Sequence, residues 1–152
     1  MGGRSGQGIN SGLTNYANTY AKSIGLNKKD FNISFDNLGD AGGDVSFVKV
    51  EGTNIYKLKN EVRINSNMSE ERKQQIIRHE LTHVKQSKEN RLYIDGSRGR
   101  KGGLYWEGKK YMSLSSYQKI LKGTSSKNLE IRVRNTRKYR SLPWEVEARS
   151  SE

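Results

Sequence analysis

The most regular pattern of apolar and polar positions lies in the middle of the chain. Apolar side chains recur there at intervals of three and four, the spacing that brings them to one face of an α-helix. Glu70 and Glu71 would occupy the first turn, where the helix dipole favours negative charge, after an N-cap at Asn67 or Ser69. The pattern predicts an amphipathic helix from about Ser69 to Gln86. Its core-facing stripe consists of Ile77, Leu81 and Val84.

Strand-like segments precede this helix and are separated by Asn, Asp and Gly residues typical of turns. Three of them predict an antiparallel meander. A fourth segment, Glu61 to Asn65, alternates polar and apolar residues as a half-buried strand does, and it lies just before the helix. The three segments of the predicted meander are Phe31 to Phe35, Val45 to Val50, and Asn54 to Leu58.

The two ends of the chain have contrasting patterns. Residues 1–12 contain five glycines and little that is apolar, which predicts a flexible arm outside a single domain of residues 13–152. Apolar positions from Asn15 to Ile24 predict a short helix ended by Gly25. Pro143 suits the first position of a final helix. Further short elements are predicted as strands at Leu92 to Ile94, Leu104 to Trp106 and Tyr111 to Leu114, and as helical turns at Ser115 to Leu121.

Composition narrows the class of protein. A chain of 152 residues suits one compact domain. Only 32% of residues are hydrophobic and the mean hydropathy is −0.94, so the core must be small and the polar surface extensive. No apolar run approaches the roughly 18 residues that span a bilayer, and the N-terminus lacks the apolar core of a secretory signal. We expect a soluble α+β protein, cytoplasmic or virion-associated, that is not exported by the Sec route.

Positive charge is concentrated in one segment. The chain has 28 Lys and Arg against 16 Asp and Glu, a net charge of +12. Residues 98–140 contain 13 basic and two acidic side chains. Such an excess favours a negatively charged partner, either nucleic acid or another anionic polymer such as a cell-wall component, although a solvated surface has the same composition. No base-reading motif chooses among these partners.

Candidate chemistry begins with the two histidines of the chain, which stand in the run His79-Glu80-Leu81-Thr82-His83. Residues four apart on a helix share a face, so both imidazoles can bind one metal ion from the same side. Glu80 lies close enough to take a proton from a water on that metal. The sequence therefore predicts a catalytic metal site on the central helix.

A third protein ligand is needed, because catalytic zinc usually has three. Cysteine is absent and both histidines are used, so the third ligand must be Asp or Glu. Glu145 and Glu147 are favoured because they lie on the predicted final helix among small and apolar residues. A first-turn acid pair stabilised by the helix dipole is the alternative explanation for both. With nitrogen and oxygen ligands Zn²⁺ is the preferred ion, while Co, Mn and Ni are also compatible.

Together the His79 to His83 run and the later Trp144-Glu145-Val146-Glu147-Ala148 run resemble a small gluzincin metallopeptidase. Some gluzincins, including prenyl-protein proteases and the repressor-cleaving peptidases of phages and mobile elements, take the third ligand from Glu-x-x-Ala, which matches Glu145. Thermolysin-like groups place it directly before the alanine, which matches Glu147. The resemblance favours Glu145 and covers residues 61–88 and 143–149.

The resemblance also implies a fold and a mechanism. It implies a small zincin-like domain with a twisted, mainly antiparallel sheet, in which the strand Glu61 to Asn65 is an edge that binds extended peptide by β-addition. Zn²⁺ on His79, His83 and Glu145 would polarise a peptide carbonyl, and Glu80 would act as general base. An oxyanion would be stabilised by a residue before the final helix. The candidates by position are Arg137, Tyr139 and Arg140.

Three functions are compatible with these features. The first is a zinc metalloendopeptidase acting on a protein substrate. The second is a basic, non-enzymatic nucleic-acid-binding protein of a phage or virion that keeps a zincin scaffold, and the third is a cell-wall peptide hydrolase held by its basic segment. The opening Met1-Gly2-Gly3-Arg4-Ser5-Gly6 resembles the flexible starts of proteins from phage head-assembly cassettes, and together with the peptidase resemblance it favours a phage or prophage origin. The oligomeric state is left open.

Overall fold

The computed structural model describes residues 2–58 and 60–152, with side chains from residue 12 onward. In this part of the chain five α-helices and eight strands alternate, which is the α+β class that the sequence predicts. The helices are α1 (Gly2–Ser23), α2 (Glu70–Lys88), α3 (Leu114–Thr124), α4 (Leu129–Arg140) and α5 (Pro143–Ser150). The strands are β1 (Asn32–Asp36), β2 (Gly43–Asp44), β3 (Phe47–Lys49), β4 (Ile55–Leu58), β5 (Glu61–Asn65), β6 (Leu92–Asp95), β7 (Gly103–Trp106) and β8 (Lys109–Met112).

The strands form two sheets rather than one meander. The first sheet has the order β1-β5-β2, with β5 parallel to β1 and antiparallel to β2. The predicted antiparallel meander is therefore wrong for its first strand. β1 pairs directly and in parallel with β5, although β2, β3 and β4 lie between them in the sequence. The edge position predicted for Glu61 to Asn65 is also wrong: β5 is central, and β2 is the edge beside it.

The second sheet is antiparallel throughout, in the order β3-β4-β6-β7-β8. Of the segment predicted as a strand from Val45 to Val50, only β3 (Phe47–Lys49) is a strand, and the short strand β2 that precedes the segment belongs to the first sheet. The backbone at Gly43 lies so close to α2 that a Cβ atom there would be 2.7 Å from Ile76 Cγ2. β2 is therefore packed closely on α2.

The buried apolar side chains form two cores, and helix α2 contributes to the first. The first core joins α1, β5 and α2 through buried residues such as Ala17, Ile64 and Leu81. The second core lies between the five-stranded sheet and the C-terminal helices, around Leu104 and Trp144. Each core is small, as the composition predicts.

The helices largely follow the sequence pattern. Helix α2 is capped by Ser69, whose side chain accepts a hydrogen bond from the amide of Arg72 at 3.1 Å, and Pro143 is the first residue of α5. Helix α1 begins at Gly2. From Gly2 onward, the backbone of the predicted Gly-rich arm, residues 1–12, is therefore part of this helix. The flexibility of that arm, a dynamic property, stays a prediction.

Helix α4 was not predicted. All of its residues are exposed or half-buried, and its apolar residues alternate at positions 129, 131 and 133, a spacing that is uninformative for a helix. It packs mainly against α3, and together they make up the second half of the basic segment 98–140. No helix in the described part of the chain has the length and apolar character required to cross a membrane.

Candidate metal centre

The two histidines lie in the C-terminal half of α2, one turn apart. Their helix is held by the buried stripe of Ile77, Leu81 and Val84, which faces the first core as predicted. His79 is half-buried and His83 is buried, and their ring planes meet at 77° with centroids 4.9 Å apart. Rigid packing of α2 therefore presents both imidazoles on one side.

Helix α5 supplies the acidic partner of these imidazoles. Its position is set by Trp144, which is buried in the second core against Trp106 and Tyr117. The side-chain amide of Gln86 on α2 donates to the carbonyl oxygen of Trp144 at 3.0 Å, which joins the two helices. Glu145, the next residue, is consequently only 3% exposed and points toward the histidines.

Three electron-pair donors converge at this point. His79 Nε2 and His83 Nε2 are 3.2 Å apart, and the Glu145 carboxylate oxygens lie 3.2 Å from the first and 3.1 Å from the second. Ligands about 2.0–2.1 Å from a tetrahedral zinc ion are themselves about 3.3 Å apart. The donor atoms thus have the chemistry and the mutual spacing of a three-ligand zinc site. Among the described residues, no other group of three or more His, Cys, Asp or Glu side chains is close enough to hold a metal ion.

The outer nitrogens of both imidazoles are already engaged. His79 Nδ1 lies 2.9 Å from Glu152 Oε2, and His83 Nδ1 lies 2.9 Å from Gln86 Oε1. Because both partners are acceptors, each Nδ1 carries a proton and donates it. The Nε2 atom of each imidazole is then left to bind either a proton or a metal ion. Such second contacts fix the tautomer and the ring orientation of metal-binding histidines.

Electrostatics favour positive charge among these atoms. Burial lowers the pKa of His83, but the carboxylates of Glu145 and Glu80 outweigh it and raise that pKa to about 9. Burial likewise opposes ionisation of Glu145, yet hydrogen bonds from His79 and His83 hold the pKa of this carboxyl well below its usual range. Glu145 is therefore an anion at neutral pH. Its negative charge is balanced by a cation held at the two imidazoles, which is either a proton or a metal ion.

Glu80 lies beside the three donors on the same helix. Its side chain is 7% exposed, and burial raises its pKa, while the nearby imidazoles of His79 and His83 lower it by less. A carboxylate with a raised pKa is a stronger base than one in water. Glu80 also lines the clefts on both sides of the site, so it is positioned to meet a substrate from either.

Glu147, the alternative third ligand, points away from the histidines. Its carboxylate accepts two hydrogen bonds from the Arg91 guanidinium, at 2.9 and 2.6 Å, and one from the Gln86 amide at 3.2 Å. The Arg91 contact is the main cause of a lowered pKa for Glu147. This residue connects α5 to the end of α2 and is not one of the converging donors.

Clefts of different character flank the site. One, of about 110 Å³, runs from Glu80 and His83 toward apolar and aromatic side chains. The other, of about 190 Å³, runs from Glu80 and His79 toward arginines and Glu152. The apolar end is lined by Val45, Phe47, Leu58, Leu92, Tyr117 and Trp144, and the charged end by Arg72, Arg149 and Glu152.

Of the three oxyanion candidates, the structure brings only Tyr139 to the site. Its hydroxyl donates to Glu145 Oε1 at 2.8 Å, and it lines both clefts. Burial, reinforced by Glu145, raises the pKa of Tyr139 strongly, so the hydroxyl keeps its proton at neutral pH. Arg137 lines a separate cavity on α4, and Arg140 lines a cavity that adjoins the charged cleft.

Gln86 and Glu152 were missed as site residues in the sequence. Gln86 stands three residues after His83, a spacing that shares a helix face, so the same rule that identified His79 could have identified it. Glu152 carries no comparable signal, because it reaches His79 only through folding. Arg78 holds it there: Nε donates to the Ser151 carbonyl at 2.8 Å, and Nη2 bonds the Glu152 carbonyl.

Comparisons with protein families, with curated proteins and with solved structures find no match to this chain. The geometry of the site is therefore the observation on which a function rests.

Proposed function

We propose that the protein is a zinc-dependent metalloendopeptidase of gluzincin type on a zincin-like fold. The observation that supports this most is the convergence of His79, His83 and Glu145, with donor atoms 3.1–3.2 Å apart, next to the buried Glu80 in an open cleft. A structural zinc site would be closed by a fourth protein ligand, whereas here three ligands face a cleft. That difference favours hydrolysis over a purely structural role.

Zn²⁺, when bound by these three residues, supplies a Lewis acid for a substrate carbonyl and lowers the pKa of a water. Glu80 is placed to take the proton of the attacking water and to return it to the leaving amine. Its raised pKa suits the first step, because burial makes the carboxylate a stronger base than one in water, and the protonated carboxyl is then the donor for the leaving amine. Tyr139 lines the cleft and keeps its single phenolic proton, which it would transfer as a hydrogen bond from Glu145 Oε1 to the carbonyl oxygen as negative charge develops there.

A peptide is the substrate that the surroundings of Glu80 favour. The edge strand β2 lies beside the cleft, and both of its residues line the apolar cleft. An extended peptide can pair with such an edge through main-chain hydrogen bonds. β-addition is therefore assigned to β2, in place of the central β5 that the sequence resemblance favoured.

Substitution of the general base tests this function. Glu80→Gln should reduce hydrolysis of a quenched fluorescent peptide library by about 10²–10⁴-fold, because it removes only the proton acceptor. Zinc content by elemental analysis and the far-ultraviolet circular dichroism spectrum should stay unchanged. Glu71→Gln, on the exposed first turn of α2, is the matched control and should keep full activity. Equal activity of Glu80→Gln and wild type, or wild-type protein that takes up no zinc, would refute the proposal.

A second candidate function is binding of an anionic polymer by the basic segment 98–140. It is supported by α4, whose Arg132, Arg134 and Lys138 side chains are exposed and form no ion pair among the described residues. Nucleic acid and an anionic cell-wall component are both compatible, and the second would fit a cell-wall peptide hydrolase. Binding of duplex DNA that falls steeply with added salt, and is equal for wild type and Glu80→Gln, would support nucleic acid.

A further inference from the structure

A pocket lined by arginines adjoins the charged cleft. Arg72, Arg140, Arg149 and Glu152 line a cavity of about 330 Å³, and three of them also line the cleft that contains Glu80. The residues common to both are Arg72, Arg149 and Glu152. A substrate chain lying at Glu80 would therefore extend directly into this pocket, which we term the arginine pocket.

Helix geometry places these arginines beside the metal ligands. Arg149 follows Glu145 by four residues on α5, and Arg72 precedes His79 by seven on α2. Both intervals return a side chain to the same helix face, one or two turns along. The arginine pocket and the candidate metal centre are thus built on the same faces of the same two helices.

The charges of the arginine pocket are only partly neutralised. The Glu152 carboxylate accepts from Arg72 Nη1 at 2.6 Å and from His79 Nδ1 at 2.9 Å, so it is committed to those two groups. The guanidinium groups of Arg140 and Arg149 form no ion pair among the described residues. Two guanidinium groups are left, and their paired N–H donors match a planar carboxylate in bidentate geometry.

We propose that the arginine pocket binds a carboxylate of the peptide substrate, on the side of the candidate metal centre opposite the apolar cleft. The carboxylate belongs either to an Asp or Glu side chain or to the C-terminus of the substrate. This inference rests on the proposed peptidase function for the identity of the ligand as a peptide. It assigns the substrate an acidic group on one side of Glu80.

Binding without turnover tests the arginine pocket apart from catalysis. Zinc-loaded Glu80→Gln protein is titrated into fluorescently labelled hexapeptide pools with acetylated N-termini and amidated C-termini. The pools come in pairs that have Glu or Gln at one fixed position and random residues at the others. A pool without acidic residues but with a free C-terminal carboxylate is compared with its amide. The acidic member of at least one pair should bind roughly five- to tenfold more tightly, as a partly shielded Arg–carboxylate contact requires.

Arginine variants then locate the preference. Adding Arg149→Gln or Arg140→Gln to the Glu80→Gln protein should bring the ratio for that pair close to one, with the neutral pools unaffected. Lys22→Gln, exposed on α1 and outside both the arginine pocket and the basic segment, removes one positive charge as a control and should keep the preference. The position of the responsive pair separates a side-chain carboxylate from a terminal one.

Two results would overturn the inference: no preference for any acidic member, or a preference that survives both arginine substitutions. Failure of the proposed function looks different. In that case a carboxylate preference that depends on Arg149 is measured, while the wild-type protein cleaves none of the same pools. Conversely, cleavage with no carboxylate preference would support the peptidase function and contradict carboxylate binding in the arginine pocket.

Discussion

Gln86 Oε1 accepts a hydrogen bond from His83 Nδ1 at 2.9 Å, while Gln86 Nε2 donates to the Trp144 carbonyl at 3.0 Å. One fully buried amide therefore orients a candidate metal ligand on α2 and also holds α5, the helix that carries Glu145. The two contacts are coupled, because the Oε1 atom that orients the imidazole and the Nε2 atom that holds α5 belong to one amide group.

Loss of the Gln86 amide should weaken zinc binding. Gln86→Leu keeps the approximate volume but leaves His83 Nδ1 without its acceptor, and removal of such a contact typically costs 10–100-fold in metal affinity. The zinc dissociation constant, measured by competition with a chromophoric chelator, should rise by about that factor. Gln74→Leu, on the same helix outside the site, is the control. An unchanged affinity in Gln86→Leu would contradict the role of this contact.

The two glutamates of α5 should respond in opposite ways. Glu145→Gln removes the anionic donor and should abolish stoichiometric zinc uptake. Glu147→Gln should retain zinc and instead weaken the contact with Arg91, at a cost of about 1 kcal/mol in the free energy of unfolding, because both partners are partly exposed. Elemental analysis and urea unfolding measure the two effects. Zinc loss in Glu147→Gln with retention in Glu145→Gln would reverse the assignment.

Removing the hydroxyl of Tyr139 should slow hydrolysis without emptying the site of metal. Tyr139→Phe deletes a neutral hydrogen-bond donor at the cleft, and loss of one oxyanion-stabilising donor costs about 10²–10³ in kcat. The contact of the hydroxyl with Glu145 is also lost, so zinc affinity should fall, by less than in Glu145→Gln. Steady-state kinetics at saturating zinc separate the two effects. A normal kcat under that condition would exclude Tyr139 from oxyanion stabilisation.

The stability of the metal-free protein should decrease with rising pH. The folded-state pKa of His83 is raised from 6.5 to about 9, so its stabilising contribution is complete below pH 6.5 and is lost as the pH rises through 9. Zinc binding requires the unprotonated imidazole, so the increase in Tm caused by zinc should grow over the same interval. Thermal unfolding in chelator and in zinc at pH 6, 7.5 and 9 measures both trends.

His83→Asn provides the control for this pH dependence, because it removes the group that titrates. The decrease in Tm between pH 6.5 and 9 should be smaller in the metal-free variant than in the metal-free wild type. A wild-type Tm that is constant or rises over this interval would contradict the assigned titration.

A side chain at Gly43 should disturb both the sheet and the cleft. A Cβ there would lie 2.7 Å from Ile76 Cγ2, 2.8 Å from the Arg63 carbonyl oxygen and 3.3 Å from Glu80 Cγ. Because the carbonyl belongs to the paired backbone of β5, it cannot move without breaking the β2–β5 ladder. Gly43→Ala should cost about 1–3 kcal/mol in the free energy of unfolding and lower activity.

Gly42→Ala is the matched comparison for this substitution. Its Cβ would meet only the Ile76 side chain, at 2.9 Å from Cδ1, and this methyl group can rotate away. Urea unfolding should therefore show a smaller loss of stability than for Gly43→Ala. Equal losses in the two variants would show that contact with the β5 backbone is not the cause.

Local patterns predicted the helices better than the sheets. Helices α2 and α5 lie where periodicity, capping residues and Pro143 placed them, because these signals act within a few residues. The parallel pairing of β1 with β5 joins residues about thirty positions apart and depends on how α2 covers the sheet, so alternation within either strand carries no information about it. Helix α4 was missed for a related reason: with no buried residue, it has no apolar face to detect.

Within the candidate site, the sequence by itself determined that His79, Glu80 and His83 share a short stretch of helix, since the helical repeat is a local property of the backbone. It did not determine which glutamate of α5 faces them. Residues two apart on a helix point about 200° away from each other, so only one of Glu145 and Glu147 can reach the imidazoles. Burial of Trp144 and Ala148 in the surrounding core sets the rotation of α5, and that rotation turns Glu145 inward and Glu147 toward Arg91. Only tertiary packing could decide this, because it depends on apolar contacts with segments distant in the chain.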